Sequence, residues 1–397
     1  MPIPTWLPLM LGLLSAVGPL STDMYLPAFP AIEHSLGGHA GTAQVTLATW
    51  FLGLAIGQLT QGPLSDRWGR RVPLIAGTAL YAVASVGCAL APSLAWLAGL
   101  RLLTGIGGSA GMVITRAIVR DLADGHAAVR LMSRLMLIMG AAPILAPSIG
   151  GLIVAVAPWQ AIFVICAAYG ALCCAMVLFC LPETLPETRR VKLSFGGVVS
   201  RYRQVIGERS FVTHTLMGGC CMFAMFAYLG GSPFVFIEIF HLSPPVYGAL
   251  FGVCAFGFIT CSQINPRVLP RFGGDRVMRA GVSVFLVAAT AGLAAALAWP
   301  TGGPLGFLAA AVPIFFLMSS QGFTMPNSVV GALSRHAAHA GAASALLGTI
   351  HFCLGAVSGL SVGLLADGTV RPMAGLMFLG ACGAVLFERL RPRSGRV

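Results

Sequence analysis

Residues 62–77 read GPLSDRWGRRVPLIAG, and residues 266–281 read PRVLPRFGGDRVMRAG. Aligned end to end, Arg67 falls on Arg271, Trp68 on Phe272, Gly69 on Gly273 and Gly77 on Gly281. Each segment interrupts long apolar runs with a short polar, glycine-containing turn. The same turn at two corresponding points of one chain points to an internal repeat, two related halves that each carry their own set of helices.

The runs on either side fix the class of helix. A helix needs about 20 apolar residues, rising 1.5 Å each, to cross about 30 Å of hydrocarbon. Twelve stretches qualify, near 7–32, 43–63, 73–92, 97–119, 131–156, 160–181, 211–237, 246–265, 278–299, 304–331, 342–366 and 371–390. The whole chain of 397 residues is 57% hydrophobic and only 9% charged, where a soluble domain is nearer about a quarter charged. This argues against a soluble enzyme, a nucleic-acid binder and a disordered protein. Barrel strands are alternating segments of about ten residues, and these runs are longer and continuous. The expected fold is an all-α polytopic membrane protein with twelve transmembrane helices in two pseudo-symmetric six-helix bundles. Residues 1–182 form the first bundle, 183–210 a polar cytoplasmic linker and 211–397 the second.

The net charge of +12 is read as topology. Arg67, Arg70, Arg71, Arg120, Arg130, the basic residues of the linker, Arg267, Arg271, Arg276, Arg335 and the arginines after position 388 all fall on one side if the helices alternate. Arg371 is the main exception. The positive-inside rule places both termini in the cytoplasm. The eleven cysteines have no metal-ligand spacing and read as small apolar fillers.

Polar residues inside the apolar runs carry the functional reading. Asp23, in GPLSTDMYLPAFPAI (18–32), is a carboxyl group where charge is expensive, so function is the default. The alternative is a cap on a helix broken beside the interface. Arg101, opening LRLLTGIGGSAGM (100–112), cannot readily lose its charge and is the expected partner of Asp23, for proton coupling or as a structural ion pair. Tyr25, Gln58, Glu238 and His351 are further cavity candidates, with ordinary packing and interhelical bonding as the alternative. Gly107 and Gly111 make a G-x-x-x-G step that permits close helix contact. In GAAPILAPSIGG (140–151), Pro143 and Pro147 remove backbone donors, and Gly150 and Gly151 admit a neighbour. The loop residues Gly62, Asp66, Arg67, Gly69, Arg70 and Arg71 are expected to form a gating network, with Arg120 as partner of Asp66. Topological charge alone is the alternative.

GPLSDRWGRRVPL (62–74) resembles the signature loop of the major facilitator superfamily, and RLLTGIGGSAG (101–111) resembles its helix 4 motif. GAAPILAPSIGG resembles the helix 5 motif of its drug/proton antiporters. STDMYLPAFPAI (21–32), RAIVRDL (116–122) and LPETLP (181–186) narrow the resemblance to the Bcr/CflA-type drug-resistance transporters. The resemblance implies proton-driven efflux of small organic molecules across a bacterial inner membrane, with substrates such as bicyclomycin, chloramphenicol-type compounds and sulfonamides. It implies that Asp23 and Arg101 are the family's helix 1 acid and helix 4 arginine. Pro270 departs from the pattern by replacing Asp66 in the second repeat, so an asymmetric latch is expected.

The expected partners are a small lipophilic or amphiphilic substrate, protons and membrane lipid, with no nucleic acid, no cofactor and no metal, on a monomer. An exporter of an endogenous metabolite with the same machinery is the alternative. A membrane enzyme would need clustered nucleophiles, carboxylates or metal ligands, which the chain lacks. No G-x-x-x-x-G-K loop supports direct ATP drive.

Overall fold

The computed structural model describes residues 6–39, 41–122, 125–190, 195–300, 303–336 and 340–392. They form fourteen α-helices: α1 Leu7–Asp23, α2 Phe29–Ser35, α3 Gln44–Trp68, α4 Arg71–Ala89, α5 Leu94–Leu122, α6 Gly125–Val156, α7 Gln160–Cys180, α8 Phe195–Ile206, α9 Arg209–Pro233, α10 Pro244–Phe272, α11 Gly274–Ala298, α12 Pro304–Leu333, α13 Ala340–Leu364 and α14 Arg371–Leu390. All-helical structure follows from the solvent. A backbone in hydrocarbon must satisfy its own N–H and C=O groups, and a helix does so within one segment.

Among the described residues, ten helical stretches are long and apolar enough to cross a membrane. The expected spans at 43–63 and 131–156 are the two that fall short of that test, although α3 has 25 residues and α6 has 32. In α3 the reason is polarity. This helix packs between α5 and α13, so Gln44, Gln58, Gln61 and Ser65 are buried in protein rather than exposed to lipid. In α6, Ala141–Val156 is the apolar stretch that the described residues contain.

Expected span 1 is not one helix. Met24 caps α1, Leu26–Ala28 form a 3-10 turn beginning one residue before Pro27, and α2 resumes at Phe29. Asp23 is therefore the last residue of α1. The linker also departs from a plain polar stretch. It folds α8, whose neighbourhood buries Val205 with Phe211 and Ala332, and Tyr202 donates to the Leu59 carbonyl of α3 at 3.1 Å.

In the first half, α3 and α4 pack on α5, α4 on α7, and α1 on α5 and α6. In the second, α9 packs on α12, α13 and α14, α11 on α12 and α14, and α10 on α12. The halves meet along two seams, α3 with α13 and α6 with α10. The repeat is visible in the backbone. Gly69 ends α3 at φ +88° and Gly273 ends α10 at φ +77°. Both sit in a region that residues with a Cβ rarely adopt, and both stand at the same register of the two quoted turns.

Candidate functional site

Arg101 is 1% exposed on α5. Its Nη1 donates to Ser21 Oγ at 3.1 Å and its Nη2 to the Ser21 carbonyl at 3.2 Å. The guanidinium lies 4.6 Å from the Trp50 ring centroid, 4.7 Å from Tyr25 and 5.8 Å from Phe163. A cation over a ring contributes about 0.5–1 kcal/mol when exposed and about 2 kcal/mol or more when desolvated. Tyr25 is thus part of the wall around Arg101, with its hydroxyl sharing a 2.6 Å hydrogen bond with Thr46.

Asp23 is 6% exposed. The expected Asp23–Arg101 pair does not form: among the described residues no ion pair or hydrogen bond reaches the Asp23 carboxylate. The rings and Ser21 take the place of a counter-ion for Arg101. Asp23 ends α1 just before a 3-10 turn that meets α9 and α10 of the other half. The acid of the first half therefore lies against the second.

At the basic end of the molecule, Arg70 organises a separate network and is 3% exposed. Its Nη1 donates to Asp66 at 2.5 Å and to Ser65 Oγ at 2.9 Å, and its Nε donates to Asp121 at 2.7 Å. The backbone N–H groups of Arg70 and Arg71 donate to Glu183 at 2.8 and 3.2 Å, so a carboxylate sits at the positive N-terminus of α4. Burial pushes the Glu183 carboxyl up, but the N–H groups of Leu185, Arg70 and Arg71 and the charge of Arg190 outweigh it and hold it below its usual range. Gly69 belongs to the same contact, since a Cβ there would collide with Glu183 Oε2.

Arg120 is not the partner of Asp66. It is exposed and, with Gly62 and Gln58, lines a cavity of about 280 Å³ between α3, α5, α8 and α13. Arg116, Arg201 and Asp66 line it too. Arg67 points to solvent beside Trp68, and Arg71 donates to the Leu178 carbonyl at 2.5 Å.

The remaining candidates separate. His351 is buried within the second half and donates Nε2–H to the Thr215 carbonyl at 3.1 Å. Glu238 is exposed in a π-helical turn, Phe234–Ile239, at the opposite end from the basic network, so it is no midplane cavity residue. α6 continues through Pro143 and Pro147. A Cβ on Gly150 would meet the Met24 carbonyl, and one on Gly151 the Pro244 carbonyl. On Gly107 it would meet Gly77 and Tyr81 backbone, and on Gly111 the Leu14 carbonyl. Reading the sequence missed Ser21, Asp121, Glu183 and Arg116. For Arg116 and Asp121 a signal existed: RAIVRDL puts Arg116 and Arg120 one turn apart, with an acid beside them.

A family model described as Major Facilitator Superfamily matches residues 11–360. The chain belongs to the major facilitator superfamily. It is 36% identical to "Uncharacterized MFS-type transporter YdgK" of Bacillus subtilis, covering 94% of this chain and 92% of that one. It is 29% identical to "Bicyclomycin resistance protein homolog" of Haemophilus influenzae, with the same two coverages. It is 31% identical to "Chloramphenicol resistance protein" of Pseudomonas aeruginosa, covering 90% and 82%. Among solved structures, a D-xylose-proton symporter superposes with a TM-score of 0.74 at 16% identity, covering 97% of each chain, which shows the shared fold. The protein is a multi-pass membrane transporter and not an enzyme.

Proposed function

We propose that this transporter is a proton-coupled efflux antiporter that exports small organic drugs by alternating access, with Asp23 as its proton carrier. The observation that carries the proposal is the position of Asp23. It is an enclosed carboxyl group with no ion-pair partner among the described residues, just before a 3-10 turn that packs on α9 and α10 of the other half. Any motion that parts the halves there changes the solvent around Asp23, so protonation and conformation are linked. Arg101 is then a fixed positive charge at the same end, not a switch. The relatives named for bicyclomycin and chloramphenicol resistance support organic drugs as cargo.

In this reading the basic end is cytoplasmic, as are both termini, in a bacterial inner membrane. The halves, residues 1–182 and 211–397, rock about the α3–α13 and α6–α10 seams. At the opposite end the halves are in contact: Gln44 of α3 donates to the Gly230 carbonyl of α9 at 2.9 Å, Gly41 lies against Gly363 and Ala366, and Gly151 of α6 lies against the Pro244 carbonyl of α10. The cavity lies at the basic end. The Arg70 network ties α3, α4 and α5 together beside that cavity and moves as part of the gate.

The test is compound uptake into inverted vesicles, with an imposed pH gradient switched on and off. Gradient-dependent accumulation of a bicyclomycin-, chloramphenicol- or sulfonamide-like compound is expected. Accumulation of every active compound at the same level without a gradient would refute proton coupling. Accumulation confined to endogenous metabolites would move the cargo to the alternative class. A reporter fused after Val397 should be active only in the cytoplasm.

A further inference from the structure

We propose that a cleft on the lipid-facing side of the second half is a binding site for a phospholipid with an anionic headgroup, its phosphate at Arg276 and an acyl chain between α10 and α11. Both helices lie on α12, and the cleft between them encloses about 590 Å³. That volume falls within the about 300–1,000 Å³ of small-molecule sites. The lining is apolar, with Phe256, Phe316, Phe323 and Val284 among its walls. Phe256 and Phe316 are 60% and 52% exposed, so the cleft opens to the hydrocarbon and not to the seam between the halves.

Depth and charge select the occupant. Arg276 stands near the start of α11 and Val284 eight residues further in, a rise of about 12 Å. This is close to one leaflet of a hydrocarbon core about 30 Å thick. Along α11, an acyl chain entering beside Arg276 therefore stays within about one leaflet. Arg276 is exposed, and no carboxylate among the described residues pairs with it. The adjacent Asp275 is taken by Arg391, and Arg279 has Glu388 at 4.0 Å. Arg271 and Arg267, also exposed, add positive charge at the same end. A guanidinium at the headgroup level above an apolar cleft matches a phosphate joined to acyl chains, and basic pockets between membrane helices recognise lipid headgroups in this way.

The experiment is native mass spectrometry of the full chain released from detergent in the presence of dioleoyl phosphatidylglycerol. Arg276→Gln should lower retention of that lipid about tenfold or more, the loss of a charge-assisted hydrogen bond. Ala280→Trp, which fills the cleft from an exposed wall position, should lower it to a similar degree. Unchanged retention in either variant overturns the proposal, because it requires both headgroup and cleft. Displacement of the lipid by an equal concentration of glycerol 3-phosphate also overturns it, since the site would then read phosphate alone. A measurement without substitutions covers the case of a misfolded variant. Phosphatidylglycerol with a photoreactive acyl chain, cross-linked to the wild-type protein, should label peptides within 256–284 and 315–323. Labelling spread evenly over the helices would refute a defined site.

Discussion

The Glu183 carboxylate accepts a hydrogen bond at 2.8 Å from the backbone N–H of Arg70, 113 positions earlier in the chain. It joins the segment after α7 to the turn between α3 and α4. The second half makes the equivalent tie with its charges exchanged. Asp275, which falls on Arg71 in the repeat alignment, is bound by Arg391, the residue after α14. Each half thus fastens its second-to-third helix turn to the end of its sixth long helix. The repeat preserves the connection but not the residues.

If Glu183 caps α4, Glu183→Ala should destabilise the protein by about 0.5–2 kcal/mol, the usual loss for a helix N-terminal cap. Thermal unfolding in detergent measures this. The pH dependence has a definite sign. The folded-state carboxyl lies below its ordinary value of about 4.3, so its contribution is complete above that value and is lost as pH falls through the folded value. The gap in melting temperature between wild type and Glu183→Ala should be flat near neutral pH and narrow in acid below about pH 4. A gap that does not narrow would mean that the carboxylate charge is not what holds the turn.

The Arg70 network ranks its own members. The Asp121 side chain is 14% exposed and that of Asp66 38%, so water screens the Asp66 pair more. Exposed pairs contribute about 0–1 kcal/mol, whereas breaking a buried pair costs about 3–5 kcal/mol. Asp121→Asn should therefore slow transport and lower the melting temperature more than Asp66→Asn. Both should affect turnover more than substrate affinity, because the network lies away from the seam at Asp23. Arg120→Gln should leave the melting temperature near wild type. An effect of Arg120→Gln as large as that of Asp121→Asn would restore Arg120 as the partner.

Two glycines on α5 should respond with opposite signs. A Cβ on Gly111 would run into the Leu14 carbonyl of α1, while one on Gly99 meets nothing within 4 Å. Gly99→Ala should stabilise by about 0.5–1 kcal/mol through lost backbone freedom in the unfolded chain. Gly111→Ala should destabilise by about 1–3 kcal/mol through overpacking. Equal shifts for the two in thermal unfolding would show that α1 and α5 do not need this approach.

The helices were legible because hydrocarbon accepts little but long apolar segments, and the repeat because Gly69 and Gly273 end corresponding helices. The polarity of α3 marked no boundary, since its glutamines face α5, α9 and α13. α8 was hidden in the linker because 12 residues with a single apolar side fall short of a span. The misread pair was Asp23 with Arg101. Charge sign and approximate depth make such a pair geometrically allowed, but they do not reveal that Trp50, Tyr25 and Phe163 already surround the guanidinium. Glu183 and Asp121 were missed for a related reason. Their partners at Arg70 and Arg71 lie far away in the chain, and the donors to Glu183 are backbone N–H groups, which no motif of side chains records.

The separation of Asp23 from Arg101 leads to the decisive test of the coupling scheme. With no direct bond between them, the two residues should contribute independently. Asp23→Asn keeps the size and neutral character of the protonated acid but cannot cycle a proton. It should retain ligand binding and lose gradient-driven accumulation. Arg101→Lys keeps the charge but loses the planar group that lies over the rings, so it should lower the melting temperature while proton dependence remains. In a double-mutant cycle on stability, the two effects should add within about 0.5 kcal/mol, as for sites that share no contact. A larger coupling energy would mean that another transport state brings the pair together, and Arg101 would then join the proton switch. The role of Asp23 itself is decided by transport, with the amount of inserted protein measured alongside. If Asp23→Asn still pumps against a gradient at the wild-type rate between about pH 6 and 8, where a working proton carrier must titrate, the carrier lies elsewhere. His351, buried in the second half, is the next residue to replace.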